Sequence, residues 1–365
     1  MNSETWHRAR NILCVRLDYL GDVLMTTPAM RALKQSLPGC RITLLTSAGG
    51  AAVTRFIPEI DDTISYAAPW LKSSEEHDAH IDLAMIERLR SCRFDAAVIF
   101  TVYSQSPLPA AMLCHLAGIP LRLAHCRENP YRLLTDWVPD DEPQERTRHE
   151  VRRQLDLVAT VNAQASDDRL SFRIPGADSA WAGSCLQALG VDSGRPWIVL
   201  HPGASASSRC YPPQHWRALA QLLAAQLQCP LLFTGSEQEA PLVDEISAGV
   251  PGAHSLAGRL DLGKLAALIA LSPLLISNNT GPVHIAAAVG TPVVDLYALT
   301  NPQHTPWQVA HRVLFHDVPC RFCYKSVCPQ GHHHCLSKVV PEQVAGAALE
   351  LLHVCAADAH NLHFH

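Results

Sequence analysis

Short apolar runs alternate with longer helical patterns along the first part of this chain. Three runs are apolar enough to form buried strands, at residues 11–16, 41–46 and 96–101. Helical spacing of apolar positions occurs at residues 22–37, 80–92, 109–117 and 142–161. Strands that alternate with helices predict a parallel sheet built from βαβ units.

The same alternation starts again after a polar stretch at residues 162–179. Strands are predicted at 197–200, 230–234, 274–277 and 292–296, and helices at 180–189, 214–226, 240–248, 262–271 and 283–289. A chain of 365 residues also exceeds the size at which one hydrophobic core keeps growing. We therefore predict two α/β domains, at residues 1–175 and 176–365.

The composition is that of an ordinary globular protein. Hydrophobic residues make up 48% of the chain, charged residues 17%, and the net charge is −5. That charge gives no overall attraction to nucleic acid, so no such partner is expected. No apolar run has the roughly 18 residues of a membrane helix, and the first residues lack the apolar core of a secretory signal. We expect a cytoplasmic protein whose 13 cysteines are reduced.

Two polar corners in the second half each follow a predicted strand and precede a predicted helix. Residues 201–205 are His-Pro-Gly-Ala-Ser, and residues 277–284 are Ser-Asn-Asn-Thr-Gly-Pro-Val-His. Backbone N–H groups and the positive end of a helix dipole hold an anion at such corners without a metal ion. The pair predicts a crevice that binds a nucleotide diphosphate.

Side chains of the first corner fit a phosphate site. Gly203 permits close backbone approach, Ser205 offers a hydroxyl, and Arg209 can donate two hydrogen bonds to phosphate oxygens. The alternative is a plain strand–helix connection with a solvated arginine. The length and polarity of the loop favour the phosphate site.

The second corner offers backbone rather than side-chain donors. Pro282 suits the first helical turn, which leaves the N–H groups of Thr280 and Gly281 for a diphosphate. His284 would point toward the same anion, although a lone histidine on a helix is usually a packed one.

The turn after the first strand carries two carboxylates, Asp18 and Asp22, on either side of Gly21. Ligands of open parallel sheets bind beyond the carboxyl ends of the strands, so this turn faces the predicted cleft. Asp22 is either a helix cap or a general base that removes a proton from an acceptor hydroxyl. Spacing alone favours the cap, and Asp18 is a weaker candidate of the same kind.

A cysteine-rich segment lies at residues 320–335. Cys320, Cys323, Cys328 and Cys335 are four thiols that could close a tetrahedral site for a structural zinc or iron ion. The alternative is a set of reduced cysteines in a folded loop. In either case the segment follows the nucleotide-binding part, and we expect it to serve architecture or acceptor docking.

Together these residues resemble glycosyltransferase family 9, which includes the ADP-heptose:lipopolysaccharide heptosyltransferases. The resemblance covers nearly the whole chain. It depends on Leu20-Gly21-Asp22-Val23 with Thr27-Pro28-Ala29, on residues 201–205, Thr234-Gly235 and Leu256-Ala257-Gly258, and on residues 277–284 with Ala286-Ala-Ala and Gly290-Thr-Pro-Val-Val. It implies the GT-B fold: two Rossmann-like domains facing a central cleft, with the acceptor on the first and the nucleotide sugar on the second.

The resemblance also implies roles for individual residues. Asp22 becomes the general base, and Arg209 neutralises the leaving diphosphate. Glu239, with Glu237 as the alternative, holds the ribose of the nucleotide. Donor-binding positions are His201, Gly203, Ser205, Asn279, Thr280, Gly281 and His284, and acceptor-side positions are Asp18 and Gly21. Two residues depart from the family pattern: Asn279 stands where Asp is general, and Tyr211 where Trp is usual.

The expected activity is inverting transfer of a heptose from ADP-heptose to an acceptor hydroxyl of lipopolysaccharide core or a related glycan, with no cofactor required. The expected partners are a nucleotide sugar and a glycan, glycolipid or protein acceptor. The alternatives are another nucleotide sugar, a protein acceptor, and a non-catalytic metal-bearing scaffold of the same fold. The arginines between Arg122 and Arg153 either meet an anionic acceptor or form a solvated helix face. Peripheral contact with the inner face of a membrane and oligomer formation both stay open.

Overall fold

A computed structural model describes residues 3–71, 77–192 and 195–361. The chain divides into two compact units, Met1–Arg173 and Ile174–His365. Each unit contains one six-stranded sheet in which all neighbouring strands are parallel. Both sheets are buried under helices, as all-parallel sheets require, and their strands are accordingly rich in Val, Ile and Leu.

In the described residues the first unit has the three predicted strands with three more, and helices at the four predicted places with two more. Its strands are β1 Asn11–Val15, β2 Arg41–Thr46, β3 Asp62–Ser65, β4 Ala96–Ile99, β5 Leu121–Cys126 and β6 Asp136–Pro139. Its helices are α1 Ser3–Trp6, α2 Leu20–Ser36, α3 Ala48–Thr54, α4 Ala79–Cys92, α5 Leu108–Leu116 and α6 Glu150–Ala159.

The strand order of the first sheet is β3-β2-β1-β4-β5-β6. Strands that follow β1 are therefore added on one side of it, up to β3. The chain then returns to the other side of β1, where β4, β5 and β6 are added in order. Where the order reverses, the connections leave β1 and β4 toward opposite faces, and a crevice opens beyond their carboxyl ends. The turn with Asp18 and Asp22 follows β1 and lies at this point.

The second unit repeats the plan. Its strands are β7 Ile198–His201, β8 Leu231–Phe233, β9 Ala253–Ser255, β10 Leu275–Asn278, β11 Val293–Leu296 and β12 His311–Leu314. Its helices are α7 Gly176–Ala188, α8 Pro213–Leu227, α9 Ala240–Ser247, α10 Leu262–Leu271, α11 Gly281–Val289, α12 His334–Ser337 and α13 Pro341–Asn361. The order β12-β11-β10-β7-β8-β9 reverses between β10 and β7.

One predicted helix is wrong in its first part. Residues 142–149 precede α6 and are not helical, whereas 142–161 was predicted as one helix. Pro143 cannot donate a helical hydrogen bond, and the buried carboxylate of Glu142 instead accepts from Arg148 and Arg153. The polar residues that suggested a helix surface form an internal ion-pair network.

The polar segment before the second unit is attached to the first unit. The backbone N–H of Ser171 donates to Thr27 Oγ1 at 2.9 Å, and its hydroxyl donates to Glu59 Oε1 at 2.6 Å. Arg31 Nη1 donates to Asp167 Oδ1 at 2.6 Å. Phe172 stacks on Phe56 with ring centroids 4.7 Å apart. These contacts explain why the first unit extends as far as residue 173.

No helix in the described part of the chain combines the length and the apolar character that a membrane span requires.

The attachment of residues 167–173 predicts a selective loss of stability. Arg31→Ala leaves the buried carboxylate of Glu59 without its cation and should lower the free energy of unfolding by about 1–3 kcal/mol. Urea unfolding with amide exchange of residues 164–173 measures this. Arg90→Ala, which removes an exposed pair with Glu87 and a surface hydrogen bond to the carbonyl oxygen of Leu116, should change stability by less than about 1 kcal/mol. Equal effects of the two variants would contradict the attachment.

Candidate functional site

The two predicted phosphate corners are neighbours in the second unit. β7 and β10 are paired in parallel, with Val199 opposite Leu275 and His201 opposite Ser277. The corners that follow these strands therefore leave the same edge of the sheet, at the reversal of strand order. The expectation that the sequence brings both corners to one place is confirmed within this unit.

The buried amide of Asn278 joins the two corners. Its Nδ2 donates to the carbonyl oxygen of Pro202 at 2.6 Å, and its Oδ1 accepts from the N–H of Tyr211 at 3.1 Å. Tyr211 is buried and its hydroxyl donates to the carbonyl oxygen of Val339 at 2.8 Å. Sequence reasoning gave Asn278 no role, although a buried asparagine at the end of an apolar strand was a signal. The residue at the usual Trp position thus belongs to the core.

Glu239 lies directly against Gly203. A Cβ placed on Gly203 would be 2.1 Å from Glu239 Oε1, so only glycine leaves room for this carboxylate. Glu239 Oε2 accepts from the N–H of Ser236 at 2.7 Å, which fixes the side chain. Burial lowers the pKa of His201 even though the charge of Glu239 opposes that shift. Three predicted donor-binding residues, His201, Gly203 and Glu239, are therefore in one place.

Arg209 ends a short 3₁₀ turn, Ser207–Arg209, while Ser205 is exposed on the preceding loop. The neighbouring Ser208 is buried, and it attaches this turn to the cysteine-rich segment. Its N–H donates to the carbonyl oxygen of Ser326 at 3.1 Å and its hydroxyl to that of Lys325 at 2.8 Å. The cysteine-rich segment therefore holds the turn that carries Arg209, a function in architecture.

The helix that follows the second corner, α11, begins at Gly281 with Pro282 in its first turn. Thr280 is the N-cap and makes no side-chain capping hydrogen bond. Asn279 is buried, and its amide donates to the carbonyl oxygen of His304 at 3.5 Å. His284 is also buried, within the first turns of the helix. The geometry agrees with a phosphate-binding helix end, and the roles of these four residues stay predictions.

A buried carboxyl group that sequence reasoning missed lies on the strand beside Asn279. Asp295 is fully buried in β11, and neither carboxyl oxygen has a hydrogen-bond partner among the described residues. Burial raises the pKa of Asp295 well above its usual range, although the charge of Arg209 opposes the shift. The signal was an acidic residue in an otherwise apolar strand. A carboxyl group is thus present near Arg209 although position 279 is an amide.

In the first unit one buried guanidinium gathers three carboxylates. Arg16 lies 2.9 Å from Asp18 Oδ2, 3.2 Å from Asp22 Oδ1 and 2.6 Å from Glu150 Oε1. Burial alone would lower the pKa of Arg16, but the three acids raise it, so this cation stays charged. Burial raises the pKa of Asp18 to about 6, against the opposing charge of Arg16.

Asp22 makes the capping contact that its spacing suggested. Helix α2 begins at Leu20, two residues before the predicted start, and Gly21 lies in its first turn. Asp22 Oδ2 accepts from the N–H of Tyr19 at 3.2 Å, while Oδ1 contacts Arg16. The contact does not decide between a cap and a base, because one carboxylate can do both. The role of Asp22 as a base stays a prediction.

A cavity of about 370 Å³ opens at the reversal of strand order in the first unit. This size lies within the range of small-molecule sites. Its wall combines apolar, hydroxyl and amide groups with one carboxylate. The lining residues are Val15, Leu17, Asp18, Trp70, Leu71, Ile99, Phe100, Thr101, Ser104, Gln105, Ser106, Pro109 and Ala110.

Several of the arginines considered for an anionic acceptor are internal. Arg122 is buried and donates to the carbonyl oxygens of Ile119 and Leu133. Arg153 is buried against Asp140 and Glu142. These two cations hold loops of the first unit together, so the interpretation as a solvated helix face is also wrong for them.

The four thiols of the cysteine-rich segment surround one small cavity. Cys320, Cys323, Cys328 and Cys335 line a space of about 20 Å³, together with His332 and His333. Burial acts to raise the pKa of Cys328, but hydrogen bonds from the N–H groups of residues 330–333 outweigh it and lower the pKa. In the described residues no group of three or more His, Cys, Asp or Glu is arranged to hold a metal ion. The predicted metal site stays a prediction.

The twelve cysteines whose side chains the structure describes are all free thiols.

Comparison with known proteins decides the family. The model of glycosyltransferase family 9 (heptosyltransferase) matches residues 83–334, well over half of the chain. The chain belongs to glycosyltransferase family 9. It is therefore a glycosyltransferase, as predicted. Lipopolysaccharide heptosyltransferase 1 of Pseudomonas aeruginosa is 25% identical to this family 9 enzyme over 321 residues, which are 87% of each chain.

Solved structures of the family share its fold. A family 9 glycosyl transferase from Veillonella parvula superposes with a TM-score of 0.75 at 21% identity, covering 94% of this chain and 97% of the other. The ADP-heptose LPS heptosyltransferase II of Escherichia coli gives a TM-score of 0.71 at 23% identity, covering 94% and 98%. At these identities the likeness shows the fold alone. It confirms the predicted α/β class with two Rossmann-like domains.

The contact between Gly203 and Glu239 predicts a specific loss of nucleotide affinity. Gly203→Ala must displace the Glu239 carboxylate and should weaken ADP binding about tenfold, with only a small change in stability. Isothermal titration calorimetry with ADP measures this. Gly183→Ala is the matched control, since a Cβ there meets nothing within 4 Å on an exposed helix. Unchanged ADP affinity in Gly203→Ala would exclude Glu239 from the nucleotide site.

Proposed function

We propose that this family 9 enzyme transfers a heptose from ADP-heptose to a hydroxyl of lipopolysaccharide core or a related glycan, with inversion at the anomeric carbon. Family membership supports heptosyl transfer in general. The relatives of Pseudomonas aeruginosa and Escherichia coli support the choice of donor and acceptor, since their names specify lipopolysaccharide and ADP-heptose.

One observation carries the donor side: two strand–turn–helix corners meet at the strand reversal of the second unit, joined by Asn278. The N–H groups of Thr280 and Gly281 would bind the diphosphate at the positive end of α11. Arg209 would donate to the phosphate oxygens, and Glu239 would accept from the ribose hydroxyls. His201, Ser205, Asn279 and His284 would complete the surroundings of the nucleotide sugar.

The proposed reaction is a single displacement. The acceptor hydroxyl transfers its proton to the Asp22 carboxylate, and its oxygen forms a bond to the anomeric carbon. The bond from that carbon to the diphosphate breaks, and ADP leaves with the electron pair. One displacement inverts the configuration. Arg209 and the helix end would supply several kcal/mol of stabilisation to the leaving charge, so we propose that transfer requires no cofactor.

The amide at position 279 is the reason to consider a nucleotide sugar other than ADP-heptose as the donor. The family generally has Asp at this position, and the nearby carboxyl group of Asp295 lies on the next strand instead. This rearranged charge could select another nucleotide sugar. Thermal-shift measurements with ADP, UDP and GDP sugars would separate the donors. A protein acceptor is the alternative on the other side of the reaction, and the non-catalytic scaffold is set aside because the chain is a transferase.

We further propose that the enzyme acts in the cytoplasm, at the inner face of the membrane where a lipid-linked acceptor would lie. The relatives' lipopolysaccharide acceptors support this location. Mass spectrometry of a cell extract incubated with labelled ADP-heptose would identify the acceptor. A label on a protein would contradict the proposed glycan acceptor, and a label on a soluble glycan would contradict the proposed location at the membrane.

The cysteine-rich segment is a proposed structural metal site. Its four thiols share one cavity, and the thiolate form of Cys328 is favoured by backbone N–H groups. Zinc and iron are the ions that tetrahedral thiolates select. Because Ser208 bonds to this segment, a bound ion would stiffen the turn that carries Arg209.

Asp22→Asn tests the proposed base. The amide keeps the shape of the side chain but cannot take a proton, so transfer from ADP-heptose should fall on the order of 10²–10⁴-fold. The affinity for ADP should stay the same, because Asp22 lies in the other unit of the chain. Asp62→Asn, an exposed residue of the first unit, should keep full transfer. Equal loss of transfer and ADP affinity in Asp22→Asn would mean that its role is misassigned.

Metal analysis tests the thiol site. Protein purified without oxygen should contain about one zinc or iron ion per chain by inductively coupled plasma mass spectrometry. Cys320→Ser should lose the ion, while Cys92→Ser, an exposed cysteine of α4, should keep it. Wild-type protein that stays free of metal after incubation with both ions would refute the proposal.

A further inference from the structure

The cavity of the first unit has an apolar side suited to the face of a sugar ring. Trp70 is half-buried, and its indole is held by an edge contact with Tyr66, with ring centroids 5.8 Å apart at 67°. Leu17, Leu71 and Pro109 continue the apolar surface. The C–H groups on one face of a pyranose pack well on such a rigid aromatic ring, because indole offers a large contact area at low entropic cost.

The other side of the cavity is lined by uncharged polar groups. Thr101 is buried, and its Oγ1 has no hydrogen-bond partner among the residues that the structure describes. An unpaired buried hydroxyl is costly, so rotation of the Thr101 side chain toward a ligand hydroxyl in the cavity would be favourable. Gln105 Nε2 donates to Asp18 Oδ1 at 2.7 Å, and Ser104 and Ser106 add exposed hydroxyls. Alternating donors and acceptors are what several hydroxyls of one ring require.

The described side chains give the cavity wall a negative charge. Asp18 is the one ionisable side chain among the described lining residues. Ser106, at the rim, donates to Glu128 Oε1 at 3.1 Å, which places a second carboxylate nearby. Arg16, the adjacent cation, is shared by three carboxylates and does not line the cavity. Among the described residues, a ligand with its own negative charge would meet two carboxylates and no cation in the cavity wall.

We propose that this cavity binds the acceptor as an uncharged, hydroxylated sugar ring and rejects sugar acids at the same position. The name acceptor rests on the proposed function, whereas the preference for a neutral ring rests on the cavity itself. Trp70 and Asp18 determine the specificity: the indole packs against the ring, and the carboxylate accepts a hydrogen bond from a ring hydroxyl while it repels a carboxylate. The possible acceptors are thereby limited to glycans that carry a neutral sugar at the site of transfer.

The rejection of acids depends on pH in a defined direction. Burial raises the pKa of Asp18 to about 6, with Asp22 and Glu150 also acting to raise it, while Arg16 and Gln105 act to lower it. Asp18 is therefore charged at pH 8 and mostly protonated at pH 5. A sugar acid keeps its own charge at both values, so its repulsion should weaken as the pH falls.

Saturation-transfer difference NMR on the full chain, without donor, tests the preference. The probes are matched pairs, the methyl glycosides of glucose, galactose and mannose and the corresponding methyl uronates, which differ only at C6. At pH 8 at least one neutral glycoside should bind about tenfold more tightly than its uronate. At pH 5, or in Asp18→Asn at pH 8, the difference within that pair should shrink. Uronates that bind as well as the neutral partners, or no binding by any neutral glycoside, would overturn the proposal.

Two variants show whether the signal comes from this cavity. Trp70→Ala should weaken the neutral glycoside about fivefold through the lost ring contact. Tyr131→Ala removes an aromatic ring that is 83% exposed in the same unit, and it should leave binding unchanged. Equal effects of the two variants would place the sugar elsewhere. The binding assay contains no donor, so it is independent of the proposed function. Normal binding of the neutral sugar without heptosyl transfer would refute only the proposed donor. Normal transfer without a preference for the neutral sugar over the uronate would refute only the proposed neutral acceptor.

Discussion

The reversal of strand order in each parallel sheet is the constraint on which the candidate sites depend. At that point the chain leaves two adjacent strands toward opposite faces, so no helix covers the gap beyond their carboxyl ends. The first unit reverses between β1 and β4, and the second between β10 and β7. The cavity near Asp18 and the paired phosphate corners lie at these two places. The topology thus gives each half of the enzyme one pre-formed site, and the side chains only decide its chemistry.

Buried polar side chains stabilise both openings at a cost. Asn278 bonds to Pro202 and Tyr211 inside the second unit, and Arg16 bonds to three carboxylates inside the first. One guanidinium does not neutralise three acids, and burying such a cluster is expensive unless geometry is good. Apolar side chains of similar volume would fill the same space at a lower cost in folding free energy than this charged cluster. Burial, helped by the two neighbouring acids, instead raises the pKa of Asp18 against the charge of Arg16, and the cluster orients Asp22. This arrangement would suit the proposed proton transfer better than stability.

The parts of the site that could be predicted are those with a local signal. Gly, Ser, Thr and Pro residues within 201–205 and 277–284 indicate strand–turn–helix corners, and the adjacent apolar runs predict the strands. Asn278 and Glu150 could not be assigned roles in this way, because their hydrogen-bond partners are far away in sequence. Asp295 did stand out as an acidic residue in an apolar strand, but the nearby charge of Arg209 is also distant in sequence. Glu150 meets Arg16 across 134 positions. The same limit explains the wrong helix at 142–149, since polar residues look solvated until their buried partners are known.

The cysteine-rich segment contacts the turn that carries Arg209, and through this contact it could influence the proposed donor site without lining it. Ser208 lies between Arg209 and the carbonyl oxygens of Lys325 and Ser326, and it also lines the thiol cavity. Lys325 and Ser326 lie between Cys323 and Cys328, so an ion or an oxidation that rearranges these thiols would act on the same loop as the two carbonyl groups. If Arg209 binds the diphosphate as proposed, a ligand that stiffens the segment would lower the entropic cost of ordering Arg209 around it. By linkage, bound diphosphate would then favour the same arrangement of the thiols to an equal extent.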